Sequence, residues 1–124
     1  SELIDNCLAK NKKKIIYILN ENNFSNEDCI LITRTFLIKS KKILALTQQY
    51  KINKNIDLTI SSARPPIFWK DKEIVKNQIK KWSLDSISNL LYELNDLELL
   101  LKRNSENSLN ILNDFILTQS KANS

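Results

Sequence analysis

Apolar residues recur at helical spacing along almost the whole chain. Leu3, Ile4, Cys7 and Leu8 follow an i, i+3, i+4 rule and predict a helix over residues 1–10. Ile15, Ile16, Ile18 and Leu19 are too dense for one narrow stripe and predict a short, well-buried helix over 13–20. Residues 21–25 read as a turn, with an Asn in the left-handed conformation where other chains place Gly. Ser25 is a helix cap followed by Glu27 and Asp28, which the helix dipole favours in a first turn. The helix it opens is expected to reach about Tyr50. At 100° per residue, Ile30, Leu37 and Leu44 take one flank, and Ile32, Phe36, Ile43 and Tyr50 the other. Cys29, Thr33, Ser40 and Thr47 lie between them. So wide an apolar arc, with small residues at its centre, belongs in the middle of a bundle.

Residues 53–62 fit two periods: Ile52, Ile56 and Ile60 a helix, Ile56, Leu58 and Ile60 a strand. No partner strand is evident elsewhere, so a short helix is expected, ended by Arg64-Pro65-Pro66. Ile67, Phe68 and Trp69 then form an extended apolar plug. A further helix over 71–82 turns Ile74, Val75, Gln78, Ile79 and Trp82 inward. Ser83 caps the clearest helix, whose stripe is Ile87, Leu90, Leu91, Leu94, Leu97 and Leu101. After a break at Asn104-Ser105, a last helix over 106–121 turns Leu109, Leu112, Phe115 and Ile116 inward, and residues 122–124 are expected to fray. The fold class expected is all-α, a bundle of five to six helices in one domain spanning residues 1–124.

Composition narrows the function. The 124 residues contain no His, Gly or Met. Without His there is no Ser–His or Cys–His pair and no imidazole base. Without Gly there is no Gly-rich phosphate loop or dinucleotide fingerprint. A β-rich fold is disfavoured too, since hairpins and bulges rely on Gly. No catalytic, cofactor-binding or metal-binding residues are therefore assigned. A chain lacking Met is expected to be a piece of a longer polypeptide or a processed product. Cys7 and Cys29 stand far from any C-x-x-C spacing and read as buried, reduced thiols of a cytoplasmic protein. The net charge of +5 permits nucleic-acid binding without requiring it. The Lys72, Lys76, Lys80 row, Lys12–Lys14, and Lys39, Lys41 and Lys42 read as solvated faces.

The segment Ala63-Arg-Pro-Pro-Ile-Phe-Trp-Lys-Asp-Lys is followed by Gln78-Ile-Lys-Lys-Trp-Ser-Leu, then by Leu97-Glu98 and Lys102. In order and spacing it resembles the C-terminal domain of the delta subunit of bacterial DNA polymerase III, a component of the sliding-clamp loader. Pro65, Pro66, Phe68, Lys70, Gln78, Trp82, Ser83, Glu98 and Lys102 carry the likeness. The specific part runs from Ala63 to Lys102, and the helix over 30–50 fits that family's long central helix. The resemblance implies a helical collar domain that holds the loader together in a ring with the delta-prime and the tau/gamma-type subunits. The sliding clamp would be contacted only through an N-terminal domain outside this chain, DNA contact would be weak or indirect, and the domain would not be an enzyme.

Several side chains are candidates for partner contact. Glu98 lies within the apolar stripe of its helix with Lys102 at i+4, either as a surface pair or as the anchor of a contact with another subunit. Trp82 and Phe68 are expected in the core, and Trp69 at an interface, where Trp is enriched. Tyr92 and Leu99 fall off the main stripe of their helix, and Leu31 and Ile38 lie opposite the core flank of theirs. The candidate interface is Leu31, Ile38, Trp69, Tyr92, Glu98, Leu99 and Lys102. The competing expectation is a basic helical nucleic-acid-binding module, which would need a continuous Lys face.

Overall fold

The computed structural model describes residues 1–121. The elements in chain order are α1 (Glu2–Leu8), α2 (Lys12–Glu21), α3 (Cys29–Asn53), α4 (Ile56–Ser61), α5 (Lys72–Lys81), α6 (Leu84–Arg103) and α7 (Ser108–Gln119). Three 3-10 turns, Asn26–Asp28, Trp69–Asp71 and Ser105–Asn107, lead into α3, α5 and α7. Among the described residues there is no strand, so the all-α expectation holds, with seven helices rather than the five to six expected for the bundle. The expected fraying of residues 122–124 lies outside the described residues.

Helix starts follow local chemistry. The Ser83 hydroxyl accepts from Ser86 N–H at 3.0 Å, and the Ser86 hydroxyl accepts from Ser83 N–H at 2.9 Å, a reciprocal capping box. Asp28 closes a similar box on Ser25, but over the 3-10 turn rather than at the first turn of α3. Asn55 caps α4 by accepting from Leu58 N–H at 3.0 Å.

Left-handed positions fall on Lys10 (φ 57°) and Lys54 (φ 56°), and not on the Asn residues of the 21–25 turn. Asn22 closes α2 in an extended conformation instead, with its side-chain amide on Ile18 O at 2.8 Å. At Lys54 the left-handed residue ends α3 as a glycine ordinarily would, and its N–H donates to Tyr50 O at 2.8 Å.

The centre of the fold is α3, which contacts α1, α4, α5, α6 and α7. Its buried line is Cys29, Thr33, Phe36, Ser40, Ile43 and Thr47, while the flanking Ile30, Leu37 and Leu44 are half-buried. Cys29, Thr33 and Ser40, small residues at the middle of the arc, are as deeply buried as Phe36, because a short side chain lets neighbouring helices come close. Thr33 returns its hydroxyl to Cys29 O at 2.8 Å, whereas Ser40 Oγ and Thr47 Oγ1 are buried with no hydrogen-bond partner among the described residues.

Helix α6 makes the most extensive contact with α3. Asn26 meets Glu106, Arg34 meets Glu98, and Tyr50 shares a recess with Leu84, so the two helices run antiparallel. The inward stripe of α6 is Ile87, Leu90, Leu94, Leu97 and Leu101, all buried, with Leu91 half-buried at its edge. Phe36 meets Phe115 of α7 edge-on, with ring centroids 6.1 Å apart.

Helix α1 is short, and its C-terminal carbonyls need partners. Trp82 Nε1–H donates to Leu8 O at 2.7 Å, and Gln78 Nε2–H donates to Asp5 O at 2.8 Å. These two bonds explain why an indole and an amide, rather than two aliphatics, occupy the inward face of α5 and its end.

Five expectations need correction. Phe68 is 55% exposed and not a core residue, because the chain after Pro66 turns outward into the Trp69–Asp71 3-10 turn. Ile16 is 43% exposed, since α2 packs chiefly on α1 and buries only Ile15 and Ile18. Ile52 belongs to the last turn of α3 and is exposed. The last helix starts at Ser108, because residues 105–107 wind as a 3-10 turn. Finally, the lysines are not uniformly solvated: Lys76 pairs with Asp57 at 3.0 Å, Lys14 with Glu2 at 3.3 Å, and Lys39 with Asp5.

Candidate subunit interface

Glu98 follows Leu97 at the edge of the α6 stripe, where it reaches past the core toward α3. Its Oε1 accepts from Arg34 Nε–H at 2.9 Å, and its Oε2 lies 3.5 Å from Lys102 Nζ. The Arg34 hydrogen bond, with the Lys102 charge behind it, holds the Glu98 carboxyl below its ordinary range. The pair foreseen within α6 is therefore a three-residue link between helices. Arg34 gives no local sign of this role, because it lies 64 residues away, and only the register of α3 on α6 reveals it.

Leu31 and Ile38 bracket Arg34 on the outward side of α3 and are 71% and 55% exposed. Tyr92 and Leu99 stand on the outward side of α6, 74% and 55% exposed. These four, with Glu98 and Lys102, occupy the two helices that form the central pair. Trp69 sits on a different element, the 3-10 turn before α5. Its neighbours are Phe68, with ring centroids 5.9 Å apart, and Lys70, whose ammonium lies 5.4 Å from its ring centroid.

The structure adds residues to the face. Leu31, Ile38, Ala45 and Ile52 are all exposed and stand seven residues apart, forming a line down the outside of α3. A seven-residue repeat drifts only slowly around a helix, so the line stays on one side. That spacing was legible in the sequence once α3 was extended through Ile52. Helix α3 also carries Arg34, Lys39, Lys41, Lys42 and Lys51 and no acidic residue. Lys41 and Lys42 are exposed beside Ile38 and Ala45.

Among the described residues, no three Cys, Asp or Glu side chains gather as a metal centre would need. Cys7 and Cys29 are buried free thiols. Burial pushes the Cys7 thiol up to about 12, and its Sγ lies 3.6 Å from Ile116 O. Among the described residues no helix is long and apolar enough to cross a membrane. The chain matches no family model, no curated protein and no solved structure.

Proposed function

We propose that this chain is an assembly domain: the collar domain of a clamp-loader delta subunit, holding the loader together while the sliding clamp is placed on DNA. The observation that carries this is the outward pair of apolar faces, Leu31 and Ile38 on α3 with Tyr92 and Leu99 on α6. Large apolar side chains repeated at helical spacing on the solvent side of two core helices mark a surface that another protein covers. The Arg34–Glu98–Lys102 link supports it by fixing the register between the two helices. The delta assignment rests on the Pro65 to Lys102 likeness. The partners are the delta-prime and tau/gamma-type subunits, and the domain performs no chemistry.

The test is gel filtration of this chain mixed with those subunits. A complex is expected, and Tyr92→Glu with Leu99→Glu should abolish it while leaving the helical circular dichroism unchanged. Charge substitutions that leave both folding and assembly intact would remove the proposal.

A second function, a basic nucleic-acid-binding module, is favoured by one observation: the acid-free α3 with exposed Lys41 and Lys42. Binding of that kind weakens steeply with salt, and replacing both lysines by Gln would flatten the slope by about two contacts' worth. A weak, shallow dependence is expected if the domain serves assembly.

A further inference from the structure

A cleft of about 720 Å³, partly open to solvent, lies between α3, α5 and the loop around Pro65 and Pro66. Leu31, Ile38, Tyr92 and Leu99 do not line it, but Lys42 and Ala45 do, so the cleft adjoins the outer line of α3 at one edge. Its volume is in the range of small-molecule sites, which join apolar walls to a few convergent polar groups. The walls here are Leu46, Ile67, Phe68 and Val75.

Most polar groups in the cleft are already engaged. Thr59 Oγ1 donates within hydrogen-bond reach of Asn53 Oδ1 at 3.0 Å, Ser62 Oγ donates to Leu58 O at 2.6 Å, and Gln78 Nε2 to Asp5 O at 2.8 Å. Lys39 is held by Asp5. The polar side chains of the lining that these contacts leave are two cations, one acid and one amide: Lys42, Arg64, Asp71 and Gln49. Arg64 donates one Nη1–H to Ala63 O at 2.8 Å and retains further donors on its fork. Phe68, 55% exposed, lines the cleft, and Trp69, 69% exposed and outside the lining, packs on it at a tilt with ring centroids 5.9 Å apart.

We propose that this cleft binds a small amphipathic monocarboxylate. Its aliphatic or aromatic body sits between Leu46, Ile67, Phe68 and Val75, and its carboxylate is met by Lys42 and Arg64. Charge-assisted bonds from a guanidinium favour a planar carboxylate. Asp71 on the same rim repels a second negative charge, which selects a monoanion over a phosphate ester.

The same headgroup chemistry is offered by a dissolved acid and by fatty acid in a bilayer, and the test separates them. Dodecanoate below its micellar concentration is titrated into the 124-residue chain, with tryptophan fluorescence and calorimetry as readouts. The expected result is saturable binding with a fluorescence change that Trp69→Phe removes, since the other indole, Trp82, is buried. Dodecanol should bind at least tenfold more weakly. So should dodecanoate with the variant Lys42→Gln, Arg64→Gln, whose fold is checked by circular dichroism. Equal binding of the alcohol, undiminished binding by the double variant, or no heat and no fluorescence change would each overturn the proposal. Co-sedimentation with oleate-containing phosphatidylcholine vesicles in the absence of dodecanoate binding would overturn it too, by assigning the surface to a membrane.

Discussion

Arg34 and Glu98 meet at 2.9 Å across α3 and α6, and Glu98 also faces Lys102 one turn away on its own helix. The carboxyl is held below its ordinary 4.5, chiefly by the Arg34 hydrogen bond. A depressed carboxyl contributes its stability above the ordinary value and loses it as pH falls through the folded one. Carboxyl NMR should therefore show Glu98 titrating below a typical glutamate. Arg34→Ala should move that titration upward, with only a small loss of stability because the pair is solvent-accessible. An unmoved titration would mean the link does not form in solution.

The two tryptophans should respond unequally to the same change. Trp82 is 6% exposed and donates to Leu8 O, so Trp82→Phe leaves a buried carbonyl short of a donor and should cost about 1–3 kcal/mol in urea unfolding. Trp69 is 69% exposed, and Trp69→Phe should stay within about 0.5 kcal/mol.

Ser40 and Thr47 carry buried hydroxyls with no hydrogen-bond partner among the described residues, each a desolvation cost left without return. Ser40→Ala and Thr47→Val keep most of the volume and remove the polar atom. Each is expected to raise stability by about 1 kcal/mol, read as a higher urea midpoint at unchanged slope. A loss of stability would show that an ordered water serves these hydroxyls.

Lys10 and Lys54 share a left-handed backbone but not an environment. Lys54→Gly should stabilise by about 0.5–1 kcal/mol, since Gly relieves the strain at the end of α3. Lys10→Gly should gain less or lose stability, because the Lys10 ammonium lies 4.2 Å from the Trp82 ring centroid. Paired thermal melts decide this.

The inward faces of α1, α3, α6 and α7 are legible because their apolar residues recur at helical spacing, whereas α4 is read as a helix only because no partner strand is evident. The failures cluster where period gives no information. Phe68 follows two prolines, and whether that segment turns inward or outward depends on a tertiary path that no local pattern encodes. The isoleucine density of α2 points Ile16 inward, yet a helix with one principal neighbour has one side to bury. Of the candidate interface, the exposure of Leu31, Ile38, Tyr92 and Leu99 followed directly from the helical wheel. Arg34 shows no local signal because its partner arrives from another helix, and Ile52 joins the outer line only because α3 runs to Asn53, three residues beyond the Tyr50 that the pattern predicts.

One rod, α3, carries a buried line of the core along one side and the exposed Leu31–Ile38–Ala45–Ile52 line along the other. Anything that docks on the outer line therefore grips the beam on which α1, α4, α5, α6 and α7 all rest. Association and internal cohesion then draw on the same element, so a bound neighbour raises the melting point of the whole bundle by mass action, not of one edge alone.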